Sequence, residues 1–118
     1  MPGISIHVVD VSRGLLGDGM EVALYSLDAG GEPKLIAQGR IGRSGLLEAP
    51  KLMEPFAAGR YRAVFQIGKF YLGAQVELPL VPFLDVVTFD FGVDDPQQHY
   101  HLPMKCTPWG YSCFRGGA

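Results

Sequence analysis

Three histidines and one arginine stand out near the two ends of the chain as residues that handle protons and bind polar groups. His7 lies near the start, and His99, His101 and Arg115 lie near the end. An imidazole titrates near neutral pH, so one histidine can take a proton from water while a second assists it. A guanidinium offers a planar fork of donors to a carboxylate or a ureide. These residue types indicate general acid–base chemistry on a small polar substrate.

An ordinary structural role for the same residues is the competing interpretation. Each histidine is then a hydrogen-bonded strand or surface residue, and Arg115 is a solvated side chain of little energetic consequence. Side chains two apart in a strand share a face, so His99 and His101 point the same way. His7 lies on the face opposite its apolar neighbours, and it meets one of the pair only where the first and last strands converge. Spacing alone leaves both interpretations open.

The elements that must position these side chains are strands, because the apolar residues recur with a period of two. The predicted strands cover residues 4–8, 22–25, 34–41, 60–67, 86–91 and 98–106, separated by Gly- and Pro-rich turns such as residues 68–69. A helix of at most two turns is expected near residues 72–78, limited by Pro79 and Pro82. Seven or eight short strands predict an all-β fold, an antiparallel β-sandwich, in a single domain over residues 1–118.

Composition excludes several classes of function. Of the 118 residues, 47% are hydrophobic and 19% are charged, and the net charge is -2. The ten basic residues are scattered, which argues against nucleic-acid binding. No apolar run reaches the ~20 residues of a membrane span, and the N-terminus lacks the pattern of a secretory signal. Cys106 and Cys113 fit neither a disulfide framework nor a zinc spacing and are expected as small apolar residues. A reduced, cytoplasmic setting without a metal site is the economical interpretation, although a mature secreted form would have the same composition.

Three stretches carry a resemblance to a known family. Residues 6–10 read Ile-His-Val-Val-Asp, residues 99–103 read His-Tyr-His-Leu-Pro, and residues 110–116 read Gly-Tyr-Ser-Cys-Phe-Arg-Gly. They are similar to the His-Val-Leu-Asp, His-Tyr-His-Val-Pro and Gly-Tyr-Ser-Thr-Tyr-Arg-Gly-Ser motifs of the transthyretin-like family, and within it of the 5-hydroxyisourate hydrolases. Residues 59–62, Gly-Arg-Tyr-Arg, add a weaker match. The resemblance covers nearly the whole chain from residue 4 onward.

The resemblance implies a transthyretin-like β-sandwich protomer and a homotetramer, a dimer of dimers with active sites between the dimers. It also implies hydrolysis of 5-hydroxyisourate, a purine-derived small molecule, to 2-oxo-4-hydroxy-4-carboxy-5-ureidoimidazoline without a metal or an organic cofactor. His7 and His101 match the two catalytic histidines of the family. One of them activates the attacking water, and the other manages protons on the opening ring. His99 matches a supporting histidine.

In this chain, one turn departs from the family pattern. In the family, that turn supplies a substrate-binding arginine. The family's arginine belongs to an Asp-Gly-Arg turn, and its guanidinium stabilises developing negative charge. Here residues 44–46 read Ser-Gly-Leu, so the arginine is replaced by Leu46. Leu46 has no side-chain donor. Arg43, three positions earlier, and Arg115 are the candidate replacements for the missing cation.

The C-terminal stretch departs from the pattern as well. Gly117 stands where the family has a serine and is followed by Ala118, and Phe114 replaces a tyrosine. By the resemblance, Ser112, Arg115 and Gly117 belong to the substrate-binding wall, and Phe114 supports it. Two hypotheses follow. The chain is an enzyme that keeps both catalytic histidines, which we favour, or a catalytically impaired paralogue that binds a small ligand or acts as a scaffold.

Overall fold

The computed structural model describes residues 2–28 and 30–117. Within these residues the chain forms eight β-strands, one α-helix and one 3₁₀ helix. They are β1 (Gly3–Asp10), β2 (Leu15–Leu16), β3 (Glu21–Ser26), β4 (Lys34–Arg40), the 3₁₀ helix (Pro50–Met53), β5 (Gly59–Gln66), α1 (Ile67–Gly73), β6 (Val86–Val93), β7 (His99–Thr107) and β8 (Gly110–Cys113). Neither helix in this part of the chain is long and apolar enough to cross a membrane.

Two four-stranded sheets enclose a common core, which confirms the predicted β-sandwich. One sheet has the order β2–β1–β7–β8, and the other has the order β4–β3–β5–β6. Neighbouring strands pair antiparallel except for β1 and β7, which pair in parallel along eight consecutive residues. A parallel pair needs a long connection, whereas antiparallel strands can follow one another through tight turns. Here the whole second sheet lies between β1 and β7 in the sequence.

The core is built by every second residue of the long strands. The buried residues include Ile4, Ile6 and Val8 of β1, Tyr61, Ala63 and Phe65 of β5, and Tyr100, Leu102, Met104 and Cys106 of β7. Both cysteines are free and pack as small apolar residues, as predicted. The alternate residues of β1 and β7 lie on the solvent side of the first sheet, which we call the outer face. Its members are Ser5, His7, Val9, His99, His101, Pro103 and Lys105.

The α-helix lies earlier in the chain than the sequence pattern predicted. It begins at Ile67, directly after β5, so the expected turn at residues 68–69 is wrong, and so is the expected helix at residues 72–78. Ile67 and Tyr71 are both fully buried. Their burial in the core outweighs the local turn signal of the glycine and lysine between them, as tertiary packing often does with weak local preferences.

A buried carboxylate closes the end of β1. Asp10 is fully buried and accepts hydrogen bonds from the Ser12 hydroxyl at 2.6 Å, from the Arg13 guanidinium and from the Tyr71 hydroxyl at 2.7 Å. Burial by itself raises the pKa of Asp10, but these hydrogen bonds outweigh it and hold that pKa below its ordinary value. The network ties the end of β1 to helix α1 and so fixes the strand that carries His7.

Candidate active site

The parallel pairing of β1 and β7 brings histidines from both ends of the chain together on the outer face. In this register Ser5 lies opposite His101, and His7 lies opposite Pro103. The ring centroids of His7 and His101 are 6.4 Å apart, and the ring planes are inclined by 43°. The first and last long strands therefore converge as the chemical interpretation of these residues requires.

Ser5 belongs to the site, although the sequence pattern did not identify it. Its Oγ lies 2.8 Å from Nε2 of His99 and 2.6 Å from Nδ1 of His101. The serine and both imidazoles are half-buried, so water competes only partly for these hydrogen bonds. Strand parity was the usable signal, because Ser5 and His7 are two residues apart and must share a face.

The surroundings of His101 favour its neutral form. Partial burial lowers the pKa of His101 below its ordinary value of 6.5, and the nearby charges of His7 and His99 lower it further. At neutral pH the imidazole of His101 is therefore uncharged and carries a lone pair on one nitrogen. A neutral imidazole of this kind can accept a proton from water.

A tight loop lies along the edge of β1 that is opposite β7. The carbonyl of Gly45 accepts a hydrogen bond from Val8 N–H at 2.9 Å, and Leu46 forms an isolated antiparallel bridge with His7. Leu46, which is 39% exposed, therefore presents an apolar surface next to His7 where the resemblance expects an arginine. Arg43 lies exposed in the turn that precedes this bridge.

Gly45 approaches His7 too closely for any side chain. Its φ is +85°, and an added Cβ would lie 2.6 Å from Nε2 of His7 and 2.9 Å from a methyl group of Leu16. Both the backbone conformation and the close approach require glycine. The loop therefore packs directly on the His7 ring and restricts its position.

The C-terminal residues pack along the other edge of β7, against His101. Gly116 N–H donates a hydrogen bond to the carbonyl of His101 at 2.7 Å, so the register of β8 with β7 continues past the end of the strand. A Cβ on Gly116 would lie 2.8 Å from Cδ2 of His101 and 2.9 Å from Cγ of Pro103. Gly117 follows and is exposed, whereas Ala118 lies outside the described residues.

Arg115 lies on the core side of β7, away from the histidine side chains, because the β8 register places it opposite Leu102. Its guanidinium carbon is 4.0 Å from the centroid of the Tyr100 ring. Its Nη2 donates to Oε1 of Gln98 at 3.1 Å and to the carbonyl of His99 at 3.3 Å. These contacts hold the side chain at the beginning of β7, whereas His7 lies opposite the middle of that strand.

Lys105 is a second residue of the outer face that the sequence pattern did not identify. It lies opposite Val9 of β1 and opposite Ser112 of β8. Its Nζ is 5.7 Å from the centroid of the Phe114 ring. A positive charge thus lies on the same face as the histidines, and strand parity was again the available signal.

The site as a whole can transfer protons to and from a small ligand and can bind it through polar and apolar contacts. His101 is suited to accept a proton, His7 lies close enough to act on the same ligand, and Lys105 adds a cationic donor. Leu46 and Phe114 supply apolar surface around them. Among residues 2–28 and 30–117, no three His, Cys, Asp or Glu side chains are grouped as metal ligands.

Comparison with known sequences assigns the chain to a family. Residues 4–116 match the HIUase/Transthyretin family, so the match covers almost the whole chain. The 5-hydroxyisourate hydrolase of Ralstonia nicotianae is 38% identical over 98% of this chain and 99% of its own length. This β-sandwich with paired histidines on one outer face is of the transthyretin type. The chain belongs to the HIUase/Transthyretin family.

Solved structures share the fold. The structure of Klebsiella pneumoniae 5-hydroxyisourate hydrolase matches with a TM-score of 0.80 at 26% identity and covers 99% of this chain and 100% of that chain. Sea bream transthyretin in complex with thyroxine matches with a TM-score of 0.85 at 20% identity and covers 98% and 96% of the two chains. The second likeness concerns the fold alone. The transthyretin-like architecture expected from the sequence is thus confirmed.

Replacing Gly45 by alanine tests how closely the loop constrains His7. The variant adds backbone strain of about 1–2 kcal/mol at positive φ and a clash with the His7 ring of about 1–3 kcal/mol. We expect a Tm clearly below that of the wild type and displaced imidazole signals of His7 in NMR spectra. Gly19→Ala is the matched control, because Gly19 has a φ of +96° and no atom within 4 Å of an added Cβ. Equal losses of Tm in the two variants would contradict close packing on His7.

Proposed function

We propose that this protein hydrolyses 5-hydroxyisourate to 2-oxo-4-hydroxy-4-carboxy-5-ureidoimidazoline. The observation that carries the proposal is the distance of 6.4 Å between the ring centroids of His7 and His101, in surroundings that lower the pKa of His101. Similarity over the full length to relatives named 5-hydroxyisourate hydrolase supports it. Opening a cyclic amide with water needs a base for the water and a proton for the leaving nitrogen. Two adjacent imidazoles meet both needs.

His101 is the general base in this proposal. It takes a proton from a water molecule, and the water oxygen bonds to a ring carbonyl carbon of the substrate. The ring carbon–nitrogen bond then breaks, and the proton that His101 took from the water passes by way of His7 to the leaving nitrogen. The water thus supplies the new oxygen of a carboxyl group and the new hydrogen of a ureido group. These are the groups that distinguish the product from the substrate.

Residues on both sides of the histidines hold the substrate. We assign substrate contacts to Ser112 and Gly117 in the C-terminal stretch, to Arg115 once its side chain leaves Tyr100, and to Arg43 and Leu46 in the loop of the other edge. Leu46 contributes an apolar contact, because it has no side-chain donor. A bound ring would thus lie between the loop and the tail, with the histidines beneath it.

His99 and Phe114 have supporting roles in the proposal. His99 shares the Ser5 hydroxyl with His101, so the position of its ring affects the base through that hydroxyl. Phe114 lies beside the Lys105 ammonium and gives the tail side of the site an apolar wall.

The proposed active form is a homotetramer, a dimer of dimers with outer faces turned toward one another. In one protomer the histidine face is open, and Leu16, Leu46 and Phe114 are exposed around it. Covering such a patch in a symmetric assembly removes apolar surface from water and encloses the substrate. We further assign the enzyme to the cytoplasm and to urate degradation in purine catabolism, as a single domain over residues 1–118.

A catalytically impaired paralogue that binds a small ligand or serves as a scaffold is the second hypothesis. Leu46 and Phe114 make the outer face more apolar, as that hypothesis requires. However, the relatives that match over the full length are named as hydrolases, and the two imidazoles keep a geometry suited to proton transfer. The binding hypothesis is therefore not favoured.

The decay of 5-hydroxyisourate, generated freshly with urate oxidase and followed spectroscopically, tests the proposal. The wild type should accelerate this decay, and His7→Ala and His101→Ala should each lower the catalysed rate by about 10²–10⁴-fold, because each removes a proton-transfer group. Gln38→Ala, at an exposed position on the other sheet, is the control and should keep wild-type activity. Wild-type decay at the spontaneous rate would refute the hydrolase, and full activity in both histidine variants would refute their roles.

A further inference from the structure

One hydroxyl group connects two imidazoles of the proposed site. Ser5 Oγ lies 2.6 Å from Nδ1 of His101 and 2.8 Å from Nε2 of His99. A serine hydroxyl has a single hydrogen, so it donates to one of these nitrogens and accepts from the other. With both rings neutral, only two arrangements of hydrogens satisfy both bonds. The tautomers of His99 and His101 are therefore coupled through Ser5.

We propose that Ser5 is a positioning residue that holds His101 in the tautomer with hydrogen on Nδ1. In this arrangement Nδ1–H of His101 donates to Ser5, and the Ser5 hydroxyl donates to Nε2 of His99. The inference rests on the proposed function, because it leaves Nε2 of His101 free to take the proton of water. The opposite arrangement places hydrogen on Nε2 of His101 and removes the base.

The arrangement with hydrogen on Nδ1 is also unchanged by the proton transfer. Once Nε2 of His101 has taken a proton, the ring carries hydrogen on both nitrogens, and the bond from Nδ1–H to Ser5 persists. Hydrogen bonds that are in place before and after a reaction step add no reorganisation to it. Ser5 thus acts on His101 as the third residue of a catalytic triad acts on its histidine, by fixing tautomer and orientation.

NMR of the imidazole nitrogens reads the tautomer directly at a pH above the titration of His101. Wild-type protein is expected to show His101 with hydrogen on Nδ1. Ser5→Ala is expected to lose this preference, and Ser5→Thr, which keeps a hydroxyl, is expected to retain it. Finding wild-type His101 with hydrogen on Nε2 would overturn the inference, whether or not the protein hydrolyses 5-hydroxyisourate.

Kinetics tests the consequence for the base. Ser5→Ala should lower kcat about ten- to hundredfold with little change in KM, because the base is misaligned while the substrate contacts remain. Ser5→Thr should recover most of this loss, which a merely structural defect would not allow. Ser26→Ala, at the end of β3 on the other sheet, is the control and should keep the wild-type kcat. An unchanged kcat in Ser5→Ala would overturn the positioning role and leave the hydrolase proposal intact.

A second inference starts from Pro103, at the centre of the outer face. His101 and Lys105 lie on either side of it along β7 and share its face. His7 lies opposite it on β1. Phe114 lies opposite it on the other side, because the register of β7 with β8 continues past the end of the strand. Pro103 therefore has four side chains of three chemical types around it: two imidazoles, one ammonium and one aromatic ring.

The Lys105 ammonium extends along the outer face toward Phe114. It lies 5.7 Å from the centroid of the Phe114 ring. Ser112 is the residue directly opposite Lys105, and Phe114 lies two residues further along, opposite Pro103. An exposed cation–π contact is weak, so the ammonium can exchange it for a substrate oxygen. The arginines are placed differently: Arg115 is held at the beginning of β7, and Arg43 lies exposed in a turn.

We propose that Lys105 supplies the positive charge that stabilises the oxyanion of the reaction. The inference rests on the proposed function, in which water attack places negative charge on a ring carbonyl oxygen. A cationic donor aimed at such a charge is among the strongest contributions an enzyme makes. Leu46, in the loop beside His7, has no side-chain donor and cannot stabilise the oxyanion. Lys105 thus supplies from β7 the cation that is lost from the loop at Leu46.

Lys105→Met tests this role against Lys34→Met, a matched change at an exposed lysine of β4. We expect kcat/KM to fall about 10²–10³-fold in Lys105→Met, because one oxyanion donor is lost, and to stay unchanged in Lys34→Met. Lys105→Arg should recover part of the activity, and so should the double variant Lys105→Met/Leu46→Arg.

Three results of this series are decisive. Wild-type kcat/KM in Lys105→Met would overturn the inference and leave the hydrolase proposal intact. A loss without recovery in either arginine-bearing variant would also overturn it, because the effect would then not be one of charge. The absence of activity in the wild type would instead refute the proposed function itself.

Discussion

The parallel pairing of β1 with β7 is the constraint on which the rest of the molecule depends. It joins the two ends of the chain in one register, with Ser5 opposite His101 and His7 opposite Pro103. Because side chains alternate between faces, a slip of one residue would turn every polar member of the outer face toward the core. The apolar residues buried on the opposite face prevent that slip. The fully buried Asp10 adds a fixed point at the end of β1.

Two glycines turn this strand surface into a site with defined edges. Gly45 brings its loop onto His7, and Gly116 brings the tail onto His101, so that an added Cβ would lie 2.6 Å and 2.8 Å from a ring atom. Rings held in this way lose little freedom when a substrate binds, which favours a productive orientation. The packing that positions His101 also buries it in part and lowers its pKa. Geometry and electrostatics at this residue therefore have one physical cause.

Alternation along the chain was sufficient to predict the six longer strands and the shared orientation of the histidines, whereas the short strands β2 and β8 were not predicted. It was not sufficient for Ser5 and Lys105, because their importance depends on which strands are neighbours and in which register. A parallel pair formed by the two ends of the chain leaves no local signal. The predicted position of helix α1 was wrong for a related reason, because the burial of Ile67 against distant strands decides where the helix begins. Motif resemblance supplied what alternation lacks for His7 and His101, namely that they belong to one site.

The pH dependence of kcat/KM for 5-hydroxyisourate tests most directly the central claim that a neutral His101 is the base. Protonation of His101 removes the base, so kcat/KM should fall as the pH drops through the pKa of this residue. Burial and the charges of the neighbouring histidines lower that pKa. The midpoint of the acid limb should therefore lie below 6.5, with a plateau at neutral pH. A midpoint above 6.5, or a kcat/KM that does not fall toward acid pH, would contradict this account.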